Sequence, residues 1–107
     1  MIRRISLVRK LPELTREEFL ARWTGEHVEI ARRLPGLRGY VIQILEGDDP
    51  PYDGIAITTF DTREDAERAF AVPELAEGLR RTRDEFAASV EVYFAEEHPI
   101  VTEQEER

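Results

Sequence analysis

Residues 15–34 read TREEFLARWTGEHVEIARRL, and a single helix accounts for their order. Thr15 stands at the N-cap position with Glu18 three residues on, the capping-box spacing in which each side chain satisfies an orphan backbone donor of the other. Phe19, Trp23, His27 and Ala31 recur every fourth residue, flanked by Leu20, Val28, Ile30 and Leu34, and form an apolar stripe. Arg16, Glu17, Arg22, Glu26, Glu29 and Arg33 fill the opposite side, with Glu18/Arg22 and Glu29/Arg33 at the favourable i, i+4 spacing. Pro35-Gly36 ends the helix. His27 is the odd member, an ionisable ring on the face that packs inward, and chemistry is expected to start there. Gly25, two positions earlier, is about 1 kcal/mol worse than alanine inside a helix. It predicts either a local bend or a close contact with another backbone.

Upstream, Ile2–Arg9 is a short β-favouring run, with Ile5 and Leu7 on one parity and Ser6 and Val8 on the other. Downstream, Leu37–Glu46 reads as a second strand, GDDPPYDG at 47–54 as the densest turn signal, and Ile55–Phe60 as a third strand. Asp61 or Thr62 then caps a second helical region with Ala66, Ala69 and Phe70 inward. Pro73 interrupts it, and Leu75, Leu79 and Phe86 carry the spacing on to about Ala88. Val90–Ala95 is a fourth strand. The order β-α-β-β-α-β predicts an α+β, ferredoxin-like sandwich, a four-stranded antiparallel sheet with helices on one face. Residues 1–101 form one domain, followed by an acidic tail, 102–107, expected to fray.

Such a sheet has one uncovered face, which should alternate to polar. Here both parities are apolar: Tyr40, Ile42 and Ile44 against Val41 and Leu45, then Val90, Val92 and Phe94 against Tyr93. Two sheets packed face to face would bury that surface, which predicts a symmetric homodimer.

Composition narrows the function classes. A formal charge of −8 argues against nucleic acid as a partner, since binding there rests on neutralising phosphates. The absence of cysteine removes disulfides and thiolate metal sites. Lys10 is the only lysine, which speaks against a Schiff base on a buried strand. No apolar run approaches the ~18 residues of a membrane span, and the N-terminus has no signal-peptide core, so a cytoplasmic protein is expected.

Taken in order, several of these residues carry a family likeness. Phe19, Trp23 and His27, then Leu34-Pro35-Gly36 with Tyr40 beyond, Tyr52-Asp53-Gly54 before the third strand, Asp84-Glu85-Phe86, and Glu97-His98 resemble the EthD family. The resemblance covers nearly the whole chain. It departs from the family after the histidine, where Val28-Glu29 replaces the frequent small apolar residue and proline. The resemblance implies a dimeric α+β barrel with a cavity in each subunit between sheet and helices. Proteins of this architecture include cofactor-free monooxygenases and cyclases, muconolactone isomerases and haem-binding enzymes. Some EthD-type proteins are associated with decarboxylation of aromatic polyketide acids.

Two readings of His27 stand side by side. In one it is a general acid/base on the cavity wall, held neutral by burial against Trp23 and Phe19. In the other it is a core histidine bonded to a carbonyl. Phe19 and Trp23 are core residues that could also wall a substrate site, and Tyr40 could present its phenol to the same cavity. His98 reads as a surface or dimer-edge residue and Asp53 as a turn residue before Gly54. The two histidines lack a metal-ligand spacing, so no side-chain metal site is expected. No cofactor is expected either, although haem on His27 stays open. The functions that follow are a cofactor-independent decarboxylase, cyclase or isomerase, or a non-catalytic carrier of an apolar metabolite or haem.

Overall fold

A computed structural model describes residues 1–103. Strand β1 (Ile2–Lys10) leads to a first helical layer made of α1 (Arg16–Arg22), a π-turn segment (Trp23–His27) and α2 (Val28–Ala31). Strands β2 (Gly39–Ile44) and β3 (Gly54–Phe60) follow, then α3 (Arg63–Phe70), α4 (Pro73–Arg83) and β4 (Ala87–Glu96). The sheet is antiparallel in the order β2-β3-β1-β4, the ferredoxin-like arrangement.

The expected capping box is in place. Thr15 Oγ1 accepts from the Glu18 N–H at 3.0 Å, and Glu18 Oε1 accepts from the Thr15 N–H at 2.8 Å. The helix it starts is not uniform, however. Around Gly25 (φ −86°, ψ −121°) the backbone leaves helical geometry and widens to a π turn. A Cβ there would meet nothing within 4 Å, so of the two expectations for Gly25 the bend holds and the close backbone contact does not. The turn after α2 depends on Gly36, whose φ of +80° suits glycine.

Pro73 divides the second helical region into α3 and α4, as its missing N–H requires. Its end differs from the expectation of about Ala88. Helix α4 stops at Arg83, and Asp84, Glu85 and Phe86 turn back through N–H bonds to Arg80, Thr82 and Arg83 carbonyls. A register shift between Arg9 and Lys10 then lets Ala87 begin β4 opposite Lys10. The cause is Phe86, which the turn carries into an aromatic cluster with Phe19 and Trp23. Of the expected acidic tail, all but Thr102 and Glu103 lies outside the described residues.

Strand register sorts the side chains into rows. On the helix side, Tyr40, Thr58, Arg4 and Phe94 form one row across all four strands, and Ile42, Ala56, Ser6 and Val92 form the next. On the bare side the matching rows are Val41, Ile57, Ile5 and Tyr93, then Gln43, Ile55, Leu7 and Glu91. The helices cover the first face with two buried clusters. One is centred on Ile30, Leu34, Phe60 and Leu79, the other on Val8, Phe19, Trp23 and Phe86.

Candidate functional site

Between those two clusters the layers do not close. The floor is built from small side chains of the two central strands, Ser6 on β1 with Ala56 and Thr58 on β3, which cannot reach the helices above them. Trp23, His27 and Ala31 form one side of the roof, and Leu79, Arg83 and Phe86 the other. The result is a cavity of about 220 Å³. That is below the ~300–1,000 Å³ typical of drug-sized ligand sites, so it suits a small molecule or one end of a larger one.

His27 sits on the wall at the end of the π turn. Its Nδ1 is 2.7 Å from Thr82 Oγ1, and the Thr82 hydroxyl lies 2.8 Å from the Gly78 carbonyl in the turn below. A hydroxyl has one proton. Donated to Gly78, it leaves Thr82 Oγ1 to accept from His27 Nδ1–H, which assigns the tautomer and leaves Nε2 as a lone-pair acceptor. Nε2 has no partner among the described residues. Burial, reinforced by the Arg83 charge, pushes the imidazole down to about 4, so His27 is neutral near pH 7. The ring also meets the edge of Phe86 at 5.0 Å between centroids.

Tyr40 and Trp23 both face this space. Burial raises the Tyr40 phenol above its usual range, with the Trp23 side chain acting in the opposite direction, so the group is a neutral hydroxyl at physiological pH. Trp23 stacks on Phe86 at 5.4 Å with 15° between the planes, and the benzo edge of its indole comes close to Gly54 of β3. Gly54 is what permits this, because a Cβ there would stand 2.4 Å from the indole. Phe19 is placed differently. It is wholly buried behind Trp23, 5.3 Å from it, and supports the wall without lining the cavity.

Asp53 is a latch. Its N–H donates to the Val8 carbonyl at 2.8 Å and its carboxylate accepts from the Lys10 N–H at 2.7 Å, tying the turn to β1. His98 is exposed and 3.3 Å from the Glu96 carboxylate. Among the described residues there is no group of three or more His, Cys, Asp or Glu placed to hold a metal ion.

The structure also brings in side chains that the sequence reading passed over: Arg4, Ser6, Thr58, Thr82 and Arg83. For Arg4 a signal existed. Arg3 and Arg4 are consecutive on a strand, so alternation sends one of them under the helices. Thr82 had a weaker one, standing four residues beyond Gly78 on α4, where its hydroxyl can bond back to the helix.

A four-stranded antiparallel sheet, helices on one face and a cavity between the layers define a ferredoxin-like α+β protein. The chain belongs to the EthD family, whose domain model matches residues 11–90. Solved structures agree on the fold. An EthD family protein of Bacillus halodurans C-125 superposes with a TM-score of 0.76 at 20% identity, covering 92% of this chain and 99% of that one. A dimeric ferredoxin-like protein of unknown function from Bacteroides fragilis gives 0.67 at 15% identity, covering 89% and 94%. SnoaB of Streptomyces nogalater, a cofactor-independent oxygenase, gives 0.67 at 17% identity, covering 95% and 97%. No curated protein matches the chain. No helix among the described residues is long and apolar enough to cross a membrane.

Proposed function

We propose that the protein binds a small, apolar or aromatic, enolisable metabolite in this cavity and moves a proton on it through His27, without a cofactor. One observation carries the reading. A neutral imidazole, fixed through Nδ1 by Thr82, lines the cavity, and its Nε2 has no partner among the described residues. Nε2 takes a proton from the carbon beside a carbonyl, and the electron pair moves to the carbonyl oxygen. The Tyr40 phenol donates a hydrogen bond to that enolate oxygen. Return of the proton from Nε2 to a different carbon completes an isomerisation; attack of the enolate carbon on a second carbonyl of the same molecule, with the Nε2 proton passing to the alkoxide so formed, completes a cyclisation. Trp23 and Phe86 hold a flat substrate between them and the floor.

We also propose a symmetric homodimer formed through the bare sheet face. Val41 and Tyr93 are 51% and 56% exposed there, and with Ile57 and Ile5 they make an apolar row across the sheet. The dimeric Bacteroides fragilis neighbour supports the reading.

Native mass spectrometry of the freshly purified protein, followed by turnover assays on the retained ligand class, tests the proposal. His27→Ala should lower turnover by about 10²–10⁴-fold with the dimer mass unchanged. Full turnover in that variant would remove His27 from the mechanism. A second reading, a non-catalytic carrier, draws on the same Thr82 bond, since a structural histidine would make it too. In that case His27→Ala changes affinity and there is no rate to lose. On haem titration no His27-dependent Soret band is expected; its appearance would turn the carrier reading toward haem.

A further inference from the structure

The cavity wall has a charge composition opposite to that of the chain. Acidic residues outnumber Lys and Arg by 23 to 15 over the whole sequence. Among the described residues, however, no Asp or Glu lines the cavity, whereas Arg4 and Arg83 both do. Neither guanidinium has a carboxylate partner among the described residues.

Arg4 reaches this position because β1 alternation points it under the helices, in the row shared with Thr58 and Tyr40. Its guanidinium lies 3.7 Å from the centroid of the Phe70 ring, and Nη1 is 3.4 Å from Ser6 Oγ. Arg83 comes from the last turn of α4. The contrast with its neighbours is informative: Arg80 pairs with Glu77 and Asp84, and Arg81 with Glu26 and Glu85, all on the surface. Each of Arg4 and His27 is disfavoured in its charged form by burial and then by the Arg83 charge, which places all three in one electrostatic environment. Two unpaired cations sharing a part-buried space destabilise a fold, and such arrangements persist where a ligand offsets them.

We propose that the cavity recognises a small organic anion, with its charged oxygen held between the Arg4 and Arg83 guanidiniums and its apolar body against Trp23 and Phe86. The inference rests on the small-molecule reading above and names its ligand class. A carboxylate and an ionised phenol or enolate share the chemistry, and guanidinium binds either through charge-assisted hydrogen bonds. An anion seated there also screens His27 from Arg83, so the imidazole becomes a better base when the site is filled.

Benzoate, its uncharged isostere benzamide, and a phenolate provide the test. Binding is followed by calorimetry and by the fluorescence of Trp23, the single tryptophan and itself part of the wall. Benzoate or the phenolate should bind at least tenfold more tightly than benzamide, and whichever is preferred identifies the anion type. Arg4→Met and Arg83→Met should each abolish the preference. Arg4→Met, which removes the charge but leaves an apolar chain beside Phe70, should leave the melting temperature unchanged or raised; if it fails to fold, Arg83→Met decides alone. Equal binding of benzoate, phenolate and benzamide, or a preference untouched by both substitutions, would overturn the anion site and leave the small-molecule cavity standing. No binding by any of the three, with Trp23 emission unchanged, would overturn both.

Discussion

In its central rows the sheet departs from the usual distribution of polarity, while Val8, Phe60 and Ile42 keep the rest of the covered face apolar and Gln43 and Glu91 make the bare face mixed. The covered face carries Arg4, Ser6, Thr58 and Tyr40 beneath the helices, whereas the uncovered face carries Ile5, Leu7, Ile55, Ile57, Val41 and Tyr93. A stable two-layer sandwich has no need of this, since a polar inner face forfeits burial and an apolar outer face meets water. The difference makes sense if each face has an occupant. Small polar residues inside leave room for a ligand, and large apolar ones outside are matched by a second copy. Stability is then concentrated in the aromatic cluster beside the cavity and in the proposed interface.

Four experiments press on this contrast, in descending order of expected effect. Ile57→Glu puts a charge at the middle of the bare face, and in a symmetric interface it acts twice. Association should weaken by about 4 kcal/mol, read by light scattering as a fall to the 12.4 kDa monomer mass. A dimer that survives would relocate the interface.

The next effect lies on the inner face and depends on pH. Unfolded His27 binds its proton near 6.5 and the folded residue only near 4, so between these values the unfolded chain holds more protons. The contribution from His27 is complete above 6.5 and is lost as pH falls through 4. Its size is on the order of 3 kcal/mol. Denaturation across this range, at fixed protein concentration, should show His27→Gln with a correspondingly flatter profile than the parent. Parallel profiles would mean that the ring is not desolvated.

Gly54→Ala tests the aromatic wall. The added Cβ collides with a rigid indole held by Phe19 and Phe86, so a loss of about 2 kcal/mol is expected in urea titration. No loss would show that Trp23 has room to shift. Ala56→Val, in the cavity floor, should have the smallest effect and the opposite sign. Partial filling should raise stability by about 1 kcal/mol while weakening ligand binding. A destabilised variant would mean that the floor is already packed.

Much of this was determined by the sequence alone, because the signals involved are short-ranged. The capping box at Thr15, the four-residue stripe from Phe19 to Ala31, the break at Pro73 and the apolar parity of β2 are each set within a few residues. Together they specify the order of elements, the helix face that turns inward and the presence of His27, Trp23 and Tyr40 on the inner side. Other features depend on contacts between distant segments, and only the tertiary structure decided them. Which of Arg3 and Arg4 points under the helices follows from pairing with β3 and β4, some 55 and 90 residues away. Phe19 and Trp23 share a stripe, yet the π turn and Gly54 bring only Trp23 to the cavity. Thr82 fixes His27 across 55 residues of sequence, and the charge of Arg83 reaches Arg4 only because the packing of α4 brings both residues to one cavity. Periodicity reports which face of an element is buried. What that face meets is set by register and packing, and there the ligand class is written.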